Sequence, residues 1–438
     1  MMKKMKEVLE FIEENDVKFV RLAFCDLSGI QKNISIMPDE LPYAFAYGIS
    51  FDAHAIQGFA DITKSDLLLF PDPNTLSLLP WRPQSGRVIR LFCDIRTGKG
   101  EPFWGDLRYR LRQTMKRIFD MGYMCRIGAE CEFYLFQTQE DGTPTRIPFD
   151  QAGYLDIAPL DKGENVRREI CLTLEEMGIR PESSHHEQGP GQNEIDVRFS
   201  DPLSSADHLM TFKNVVKTVA ARNGLYASFA PKPLPDAPGN GMHINVSLTK
   251  NDLNVFDKQQ EHSEVAEHFI AGILAHTKEM SVFLNPIPNS YERLGVNEAP
   301  VYVSWSHGNR SQLIRIPEAV GERVRMELRS PDPTINPYLA FTLVLEAGMD
   351  GIAKQLPLTP PLDVDLYQAD ETITSSLERL PATLEEAIQV AKDSAWISQI
   401  LPSELLDNFL GMKIKECDEL SDSADADSYF MKHHFHRF

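Results

Sequence analysis

Glu130, Glu132, Glu187, Glu194, His243 and Glu327 are the residues of this chain whose types and settings can do chemistry. Each lies in a strand-like segment punctuated by Gly or Pro, and together they form a donor set for a hard cation. Carboxylate oxygens suit Mg²⁺ or Mn²⁺, and a lone histidine among them tilts the set toward tolerance of Mn²⁺. Metals of this type usually carry nucleotide phosphates, so ATP is implied. Glu130 and Glu132 fall in Gly128-Ala129-Glu130-Cys131-Glu132-Phe133-Tyr134-Leu135-Phe136. Strand periodicity puts these two acids on one face and Cys131, Phe133 and Leu135 on the other. Carboxylates this close repel each other, which is tolerable at a solvated sheet edge or with cations between them. A solvated face is the ordinary explanation of such a pair; the acids and histidine downstream argue for the cation. If repulsion dominates the set, Glu327→Ala removes a ligand and spares the fold.

Arg293, Arg310, Arg315, Arg325 and Arg329 are crowded into one stretch of an otherwise acid-rich chain. Arginines at such density can be surface ion pairs. Arg315, however, sits inside Leu313-Ile314-Arg315-Ile316-Pro317, and Arg329 follows Glu327 on the same strand face. Guanidinium groups beside buried carboxylates are the pattern of bidentate clamps for carboxylate or phosphate.

The elements that must position these residues fall into two parts. A chain of 438 residues with 64 acidic against 44 basic side chains carries a formal charge of -20. That charge disfavours nucleic acid and anionic membranes, which need a basic footprint. The six cysteines show no paired metal spacing and read as core residues of a reducing compartment. The N-terminus enters an amphipathic helix with no signal peptide or membrane span after it, which points to a cytoplasmic enzyme. Residues 1–100 read as a small α+β domain: a helix at 5–15, a hairpin of Val17–Phe24 and Ile30–Ile36, then strands at Asp66–Phe70 and Gly86–Asp94, with the segment Leu79–Pro83 before the last. Gly98-Lys99-Gly100-Glu101-Pro102 marks the boundary, and residues 101–438 form the catalytic part. There the pattern predicts helices at Leu107–Met121, Glu164–Met177, Ser205–Asn223 and Glu261–Thr277. Strands are expected at Asn193–Phe199, Tyr226–Phe229, Met242–Leu248, Ser311–Ile316 and Arg323–Arg329, with an all-helical remainder. Strands first and helices after suit an α+β fold with an antiparallel sheet. Neither GxGxxG nor a Walker A sequence is present, so a nucleotide site here is of another kind.

The motifs Gly128 to Phe133 and His185-His186-Glu187-Gln188-Gly189-Pro190-Gly191-Gln192-Asn193-Glu194-Ile195 resemble those of the bacterial glutamine synthetase family. So do Pro231-Lys232-Pro233, Gly241-Met242-His243, Asn289 to Leu294, Glu298-Ala299-Pro300, Asn309-Arg310-Ser311, Arg325 to Pro333 and Asn336-Pro337-Tyr338-Leu339, all in family order. The resemblance implies an N-terminal β-grasp domain on a larger catalytic domain, and an ATP-dependent ligase that forms γ-glutamyl phosphate and amidates it with ammonium. Residue by residue, it implies that Glu132, Glu187 and Glu194 hold the metal near glutamate, and Glu130, His243 and Glu327 the metal that orients ATP. Arg293, Arg329, Gly239 and Tyr154 match substrate positions. Lys232, Asn245, Ser247, Arg315 and Arg325 match the ATP side. Asp52, Glu298 and Arg310 match catalytic positions, Glu298 on a flap and Asp52 reaching the neighbouring subunit's site. The implied assembly is a homo-dodecamer of two stacked hexameric rings.

This chain also departs from the family pattern. Phe51-Asp52-Ala53-His54-Ala55-Ile56 stands where Phe-Asp-Gly-Ser-Ser-Ile is common, so hydroxyl groups near the ammonium site are missing. Pro238 replaces an asparagine that faces glutamate, and the flap Arg293 to Glu298 is one residue short. These changes touch the acceptor side and leave the phosphoryl-transfer set complete. A γ-glutamyl ligase acting on a primary amine or polyamine is therefore the alternative, and an inactive structural homologue is disfavoured. The usual adenylylation segment is not recognisable, so no control of that kind is expected.

Overall fold

The computed structural model describes residues 2–82, 85–257 and 263–438. Its N-terminal part runs α1 (Met2–Glu14), β1 (Val17–Cys25), β2 (Gln31–Ile36), α2 (Leu41–Tyr47), β3 (Ile49–Asp52), β4 (Asp66–Pro71), β5 (Ser77–Leu78) and β6 (Arg87–Thr97). β1 and β2 are the expected hairpin, closed where the Asp26 carboxylate accepts the Ile30 N–H at 2.9 Å. β6 lies between β1 and β4, parallel to the first and antiparallel to the second. A parallel pair needs a long crossover, here the whole run from β2 to β5. Val20, Leu22, Ile89 and Leu91 of the two central strands are fully buried.

The larger part runs α3 (Leu107–Asp120), β7 (Tyr123–Thr138), β8 (Pro144–Pro148), α4 (Glu164–Glu176), β9 (Pro181–His186), β10 (Gln192–Val197), α5 (Pro202–Arg222), β11 (Leu225–Ser228), β12 (Met242–Lys250), β13 (Leu253–Asn254), α6 (Ser263–Leu284), α7 (Pro288–Arg293), β14 (Trp305–His307), β15 (Ile314–Ile316), β16 (Met326–Leu328) and α8 (Pro337–Lys354). Beyond α8 the regular elements are all helical, as expected. The sheet order is β14-β15-β16-β12-β7-β10-β9, with β8 and β11 on β7 and β13 on β12. It is antiparallel apart from the parallel pair β14–β15. β7 is its spine. The downward face of β7 packs Phe133 against Phe212 of α5 at 6.2 Å and against Phe229 at 5.8 Å, worth roughly 2–3 kcal/mol for each buried ring.

Where the structure differs from the periodicity, local side-chain chemistry decides. The strand expected from Ser311 begins at Ile314 because the Asn309 carboxamide accepts the Ser311 N–H at 3.0 Å and holds a turn there. The strand expected from Arg323 to Arg329 shrinks to Met326–Leu328, after a helical turn at Gly321–Arg323. β3, β5, β8, β9, β13 and β14 were not expected, being too short or too polar for a clear strand pattern. The start of the predicted helix at Glu261 and the Pro83 end of the Leu79–Pro83 segment lie outside the described residues. No described helix is long and apolar enough to cross a membrane.

Arg108 of α3 fastens the two parts together. Its guanidinium, 5% exposed, donates to Asp207 at 2.8 Å, to Asp94 at 3.1 Å and to Asp72 at 3.0 Å. Asp72 and Asp94 belong to the N-terminal sheet region and Asp207 to α5, where the Tyr338 hydroxyl also donates to it at 2.7 Å. Asp106 adds a second tie, capping α3 through Tyr109 N–H at 2.9 Å while accepting Ile95 N–H of β6 at 2.7 Å. Arg108→Leu leaves the buried Asp207 and the half-buried Asp72 and Asp94 short of their shared cation, so it is expected to cost about 3 kcal/mol. A fall in the urea midpoint of that size checks it; an unchanged midpoint would show that the network contributes nothing net.

Candidate active site

Strand register assembles the ligand set. His243 of β12 stands opposite Glu130 of β7, and Glu132 stands opposite Glu194 of β10. His185 of β9 stands opposite Glu194, while Glu327 of β16 is flanked by Asn245 of β12 and Arg315 of β15. With a side-chain period of two, these residues line one face above the apolar floor. The ligand atoms of Glu130, His243 and Glu327 all lie within 4.8 Å of one another, and so do those of His185, Glu187 and Glu194. The first group is the set implied for one metal. In the second, Glu187 and Glu194 meet His185 rather than Glu132, whose Oε2 accepts from Gly241 N–H at 2.8 Å and Gln192 Nε2 at 3.0 Å.

The two halves of the row differ in charge balance. Burial raises the Glu130 carboxyl, but His243, Asn245 and Arg325 outweigh it and bring it down to about 2. Glu327 is held low against burial by His243 and Arg329, and Arg315 Nη1 donates to it at 2.8 Å. Glu132 is pushed up to about 7, first by burial and then by Glu187. Glu194 is pushed well above the carboxylate range by burial, Asp196 and Glu132. The Glu132–Glu194 side is therefore short of positive charge, with His185, 2.9 Å from Glu187 and 3.5 Å from Glu194, as its paired base. That deficit, with all donors carboxylate or imidazole, fits a divalent cation.

Glu130, Glu132, His185, Glu187, Glu194 and His243 line a cavity of about 670 Å³ that also takes in Tyr154, Gly239, Arg293, Glu298, Arg310, Arg315, Arg325 and Arg329, while Glu327 is buried and does not line it. Arg293 is fully enclosed, and its guanidinium donates to the Ser330 carbonyl at 2.8 Å and the Arg329 carbonyl at 3.2 Å. Gly239 is required by close approach, since a Cβ there would meet the Pro231 carbonyl at 2.4 Å. Arg329 donates to Glu327 and to the Glu298 carbonyl at 3.3 Å, so the flap rests on a cavity arginine. Arg310 is exposed at the mouth. Asn245 and Ser247 line an adjoining cavity of about 240 Å³, which shares Glu130, Asp196 and Arg325 with the first. Two expected residues lie elsewhere. Lys232 lines neither cavity, and its ammonium donates to the Ala237 carbonyl at 2.5 Å. Asp52 is exposed on the N-terminal sheet and lines neither of these two cavities.

The cavity also holds residues that were not expected there, among them His185, Gln188, Gln192 and Asp196. His185 bonds Glu187 at 2.9 Å, Gln192 bridges Glu132 and the Gly239 carbonyl, and Gln188 donates to the flap Glu298 at 3.2 Å. His185 could have been found as the alternate-position partner of Glu187, given that strand β9.

The family model for the glutamine synthetase beta-Grasp domain matches residues 16–98, and that for the glutamine synthetase catalytic domain matches residues 105–430. A glutamine synthetase of Methanosarcina mazei is 45% identical over 420 residues, covering 94% of each chain. One of Clostridium saccharobutylicum is 44% identical over 422 residues, covering 94% of this chain and 95% of its own. Among solved structures, a GmaS–ADP complex matches with a TM-score of 0.87 at 30% identity, over 97% of this chain and 98% of that one. Plasmodium falciparum glutamine synthetase matches with a TM-score of 0.85 at 25% identity, over 98% of each. The chain belongs to the glutamine synthetase family. It is an ATP-dependent ligase that forms a γ-glutamyl phosphate intermediate, with an N-terminal β-grasp domain and a larger mixed α/β catalytic domain.

The geometry corrects the expectation that removing Glu327 merely relieves repulsion. Glu327 is buried between Arg315 and Arg329, so neutralising it strands two guanidinium groups. Glu327→Gln is expected to destabilise the chelator-treated protein by on the order of 3 kcal/mol. Glu194→Gln, which spares folding the cost of protonating a buried carboxyl whose titration is pushed upward, is expected to stabilise it by on the order of 1 kcal/mol. Urea unfolding at neutral pH in chelator reads both, and equal signs would refute this division of the row.

Proposed function

We propose that the chain is a γ-glutamyl ligase whose acceptor is a small primary amine. The carrying observation is the acceptor-side turn after β3. There the Asp52 carboxylate accepts the His54 N–H at 3.0 Å, and Ala53, His54 and Ala55 offer no hydroxyl group. Ammonium presents a hydrogen-bond donor in every direction and needs a closed cage of oxygens. An alkylammonium presents donors on one side only, so an exposed Ala55 beside Asp52 suits its apolar end. The half-exposed ring of Tyr154 offers an aromatic face for such a cation. Ammonium, giving glutamine, is the second reading. It is favoured by the 44–45% identity to proteins named glutamine synthetase and by the presence of Asp52, Tyr154 and Glu298.

In this reading Arg293 and Gly239 bind glutamate, and Arg310 and Arg329 face the transferring phosphoryl group. Asn245, Ser247, Arg315 and Arg325 form the nucleotide side, which the ADP named in the GmaS complex supports. Lys232 serves that side by bracing the 231–240 loop. Glu132, Glu187 and Glu194, joined by His185, hold one divalent cation; Glu130, His243 and Glu327 hold the other. Mg²⁺ or Mn²⁺ so bound neutralises charge on the phosphoryl oxygens. Glu298 accepts the proton released by the attacking amine. Asp52, which lines neither cavity of its own chain, completes the site of the next subunit in a homo-dodecamer of two stacked rings. The use of ATP as co-substrate supports a cytoplasmic setting for this reaction.

Phosphate release with ATP, Mg²⁺ and glutamate, measured against ammonium, methylamine, ethanolamine and putrescine, tests the acceptor. One of the amines is expected to exceed ammonium in kcat/KM, and His54→Ser is expected to move the ratio toward ammonium. A preference for ammonium of several hundred-fold over every amine would overturn the reading in favour of the second. The shared site has its own check. Inactive Asp52→Ala and Glu327→Ala chains, mixed after dissociation and reassembly, are expected to regain part of the activity, and a fully active monomer would refute it.

A further inference from the structure

Next to the candidate active site lies a second group of buried acids and histidine: Asp150, Asp161 and His186, within 4.8 Å of one another. Every donor and acceptor in it already has a partner. Asp161 pairs with the Arg167 guanidinium and accepts Gly163 N–H at 2.8 Å, and Arg167 Nη1 continues to the Asn193 carboxamide at 2.6 Å. Asp150 Oδ1 accepts from His186 Nε2 at 2.9 Å, Gly191 N–H at 2.9 Å and Ala152 N–H at 3.3 Å, while Oδ2 accepts Lys162 N–H at 3.0 Å. Arg167 and His186 already fill the role a metal would have. The group is a joint.

What it joins are two pieces of active-site machinery. His186 immediately precedes Glu187, and its Nδ1 bonds the Glu187 carbonyl at 2.7 Å. Its own carbonyl accepts Leu155 N–H at 3.0 Å, fixing the turn that presents Tyr154. The Tyr154 ring then meets His185 edge-on, with centroids 5.6 Å apart. On the other side, Asp150 grips Gly191, whose positive φ of 71° and tight contacts leave no room for a side chain. Gly191 closes the loop that carries Glu187 and Gln188, with Leu135 N–H of β7 donating to its carbonyl at 2.8 Å. One buried carboxylate thus sets both the Tyr154 turn and the Glu187 loop, relative to each other and to the sheet.

We propose that Asp150 and His186 are positioning residues that fix the spacing between Tyr154 and Glu187, and so set how tightly the acceptor is held. The inference rests on the proposed γ-glutamyl ligase reading for its substrate but not on which acceptor, amine or ammonium, is preferred. Asp150→Asn keeps the size of the side chain and weakens its grip on His186. With the acceptor the wild type uses best, Asp150→Asn is expected to raise the acceptor KM about tenfold while the ATP KM stays within twofold. Tyr154→Leu, which removes the aromatic face, is expected to raise the acceptor KM by itself, and the double variant is expected to be little worse than the worse single one, since both act on one contact. Additive effects, or equal rises in acceptor and ATP KM, would reduce the pair to general scaffolding and overturn the proposal. A readout free of turnover uses hydrogen exchange of the protein without substrates. In Asp150→Asn the amides of Leu155 and Gly191 are both expected to exchange faster, with α5 unchanged. Unchanged exchange at Leu155 would break the joint whatever the kinetics show. Failure of the wild type to turn over any acceptor would count against the ligase reading alone, leaving exchange to decide the joint.

Discussion

The site depends on a cost: acidic side chains from neighbouring strands of one sheet held side by side with water partly excluded. Antiparallel register makes the crowding unavoidable once Glu130 and Glu132 occupy alternate positions on the central strand β7. Glu194 then falls opposite one and His243 opposite the other. Such a row stands only because cations are interleaved. On the β16 side the chain supplies them itself through Arg315, Arg325, Arg329 and His243. On the β10 side positive charge is scarcer: His185 pairs with Glu187 and Glu194, while Glu132, Glu194 and Asp196 lie beside other carboxylates, and burial first of all drives their carboxyls upward. An asymmetric balance of this kind leaves the β10 side with the larger electrostatic appetite for a divalent ion.

Holding that row requires a stiff sheet, and the fold spends its strongest contacts below it and beside it. Phe133, Ile195, Met242, Ile244 and Leu328 all face an apolar floor with almost no exposure. The Arg108 network locks the N-terminal sheet to α3 and α5. In contrast, the flap is held lightly. Asn297 and Glu298 adopt positive φ of 49° and 64°, which costs non-glycine residues about 1 kcal/mol or more each. Their tethers are the Gln188 carboxamide and the Arg329 guanidinium, both of which face the cavity. Groups that hold the flap are thus in a position to respond to whatever occupies the site.

Much of this could be read from residues alone, for a physical reason. Strands buried on one face, such as β7, β10 and β12, must alternate, so Glu130, Glu132, Glu194 and His243 announce both their strand and their face. Edge strands have no such obligation. β9, Pro181-Glu-Ser-Ser-His-His186, is polar throughout and has low strand propensity, so His185 could not be placed beside Glu194 until the β9–β10 pairing was known. Glu327 shows the other limit. Its spacing to Arg329 was legible, but its second partner, Arg315, comes from a strand whose short length is set by the Asn309 turn. Charge balance is a property of pairing, and pairing across strands is not local.

Separation of duties in the site explains how one family scaffold can hold its phosphoryl chemistry while varying the acceptor. The ligand row and its arginines are tied to central strands, where a one-residue slip would turn every charge into the floor. The residues proposed for the acceptor side sit at a strand end or on loops: Asp52 ends β3, His54 lies on the turn after it, Tyr154 on the turn after β8, and Glu298 on the segment after α7. A substitution at any of these leaves the register untouched, so it changes what is held without changing how phosphate is transferred. The loop carrying Tyr154 is still not free to wander, because the Asp150–His186 joint binds it to the strand end that bears Glu187. Variation on the acceptor side is therefore confined to side chains more than to loop position, and in this chain the departures at Ala53, His54 and Ala55 are of that kind.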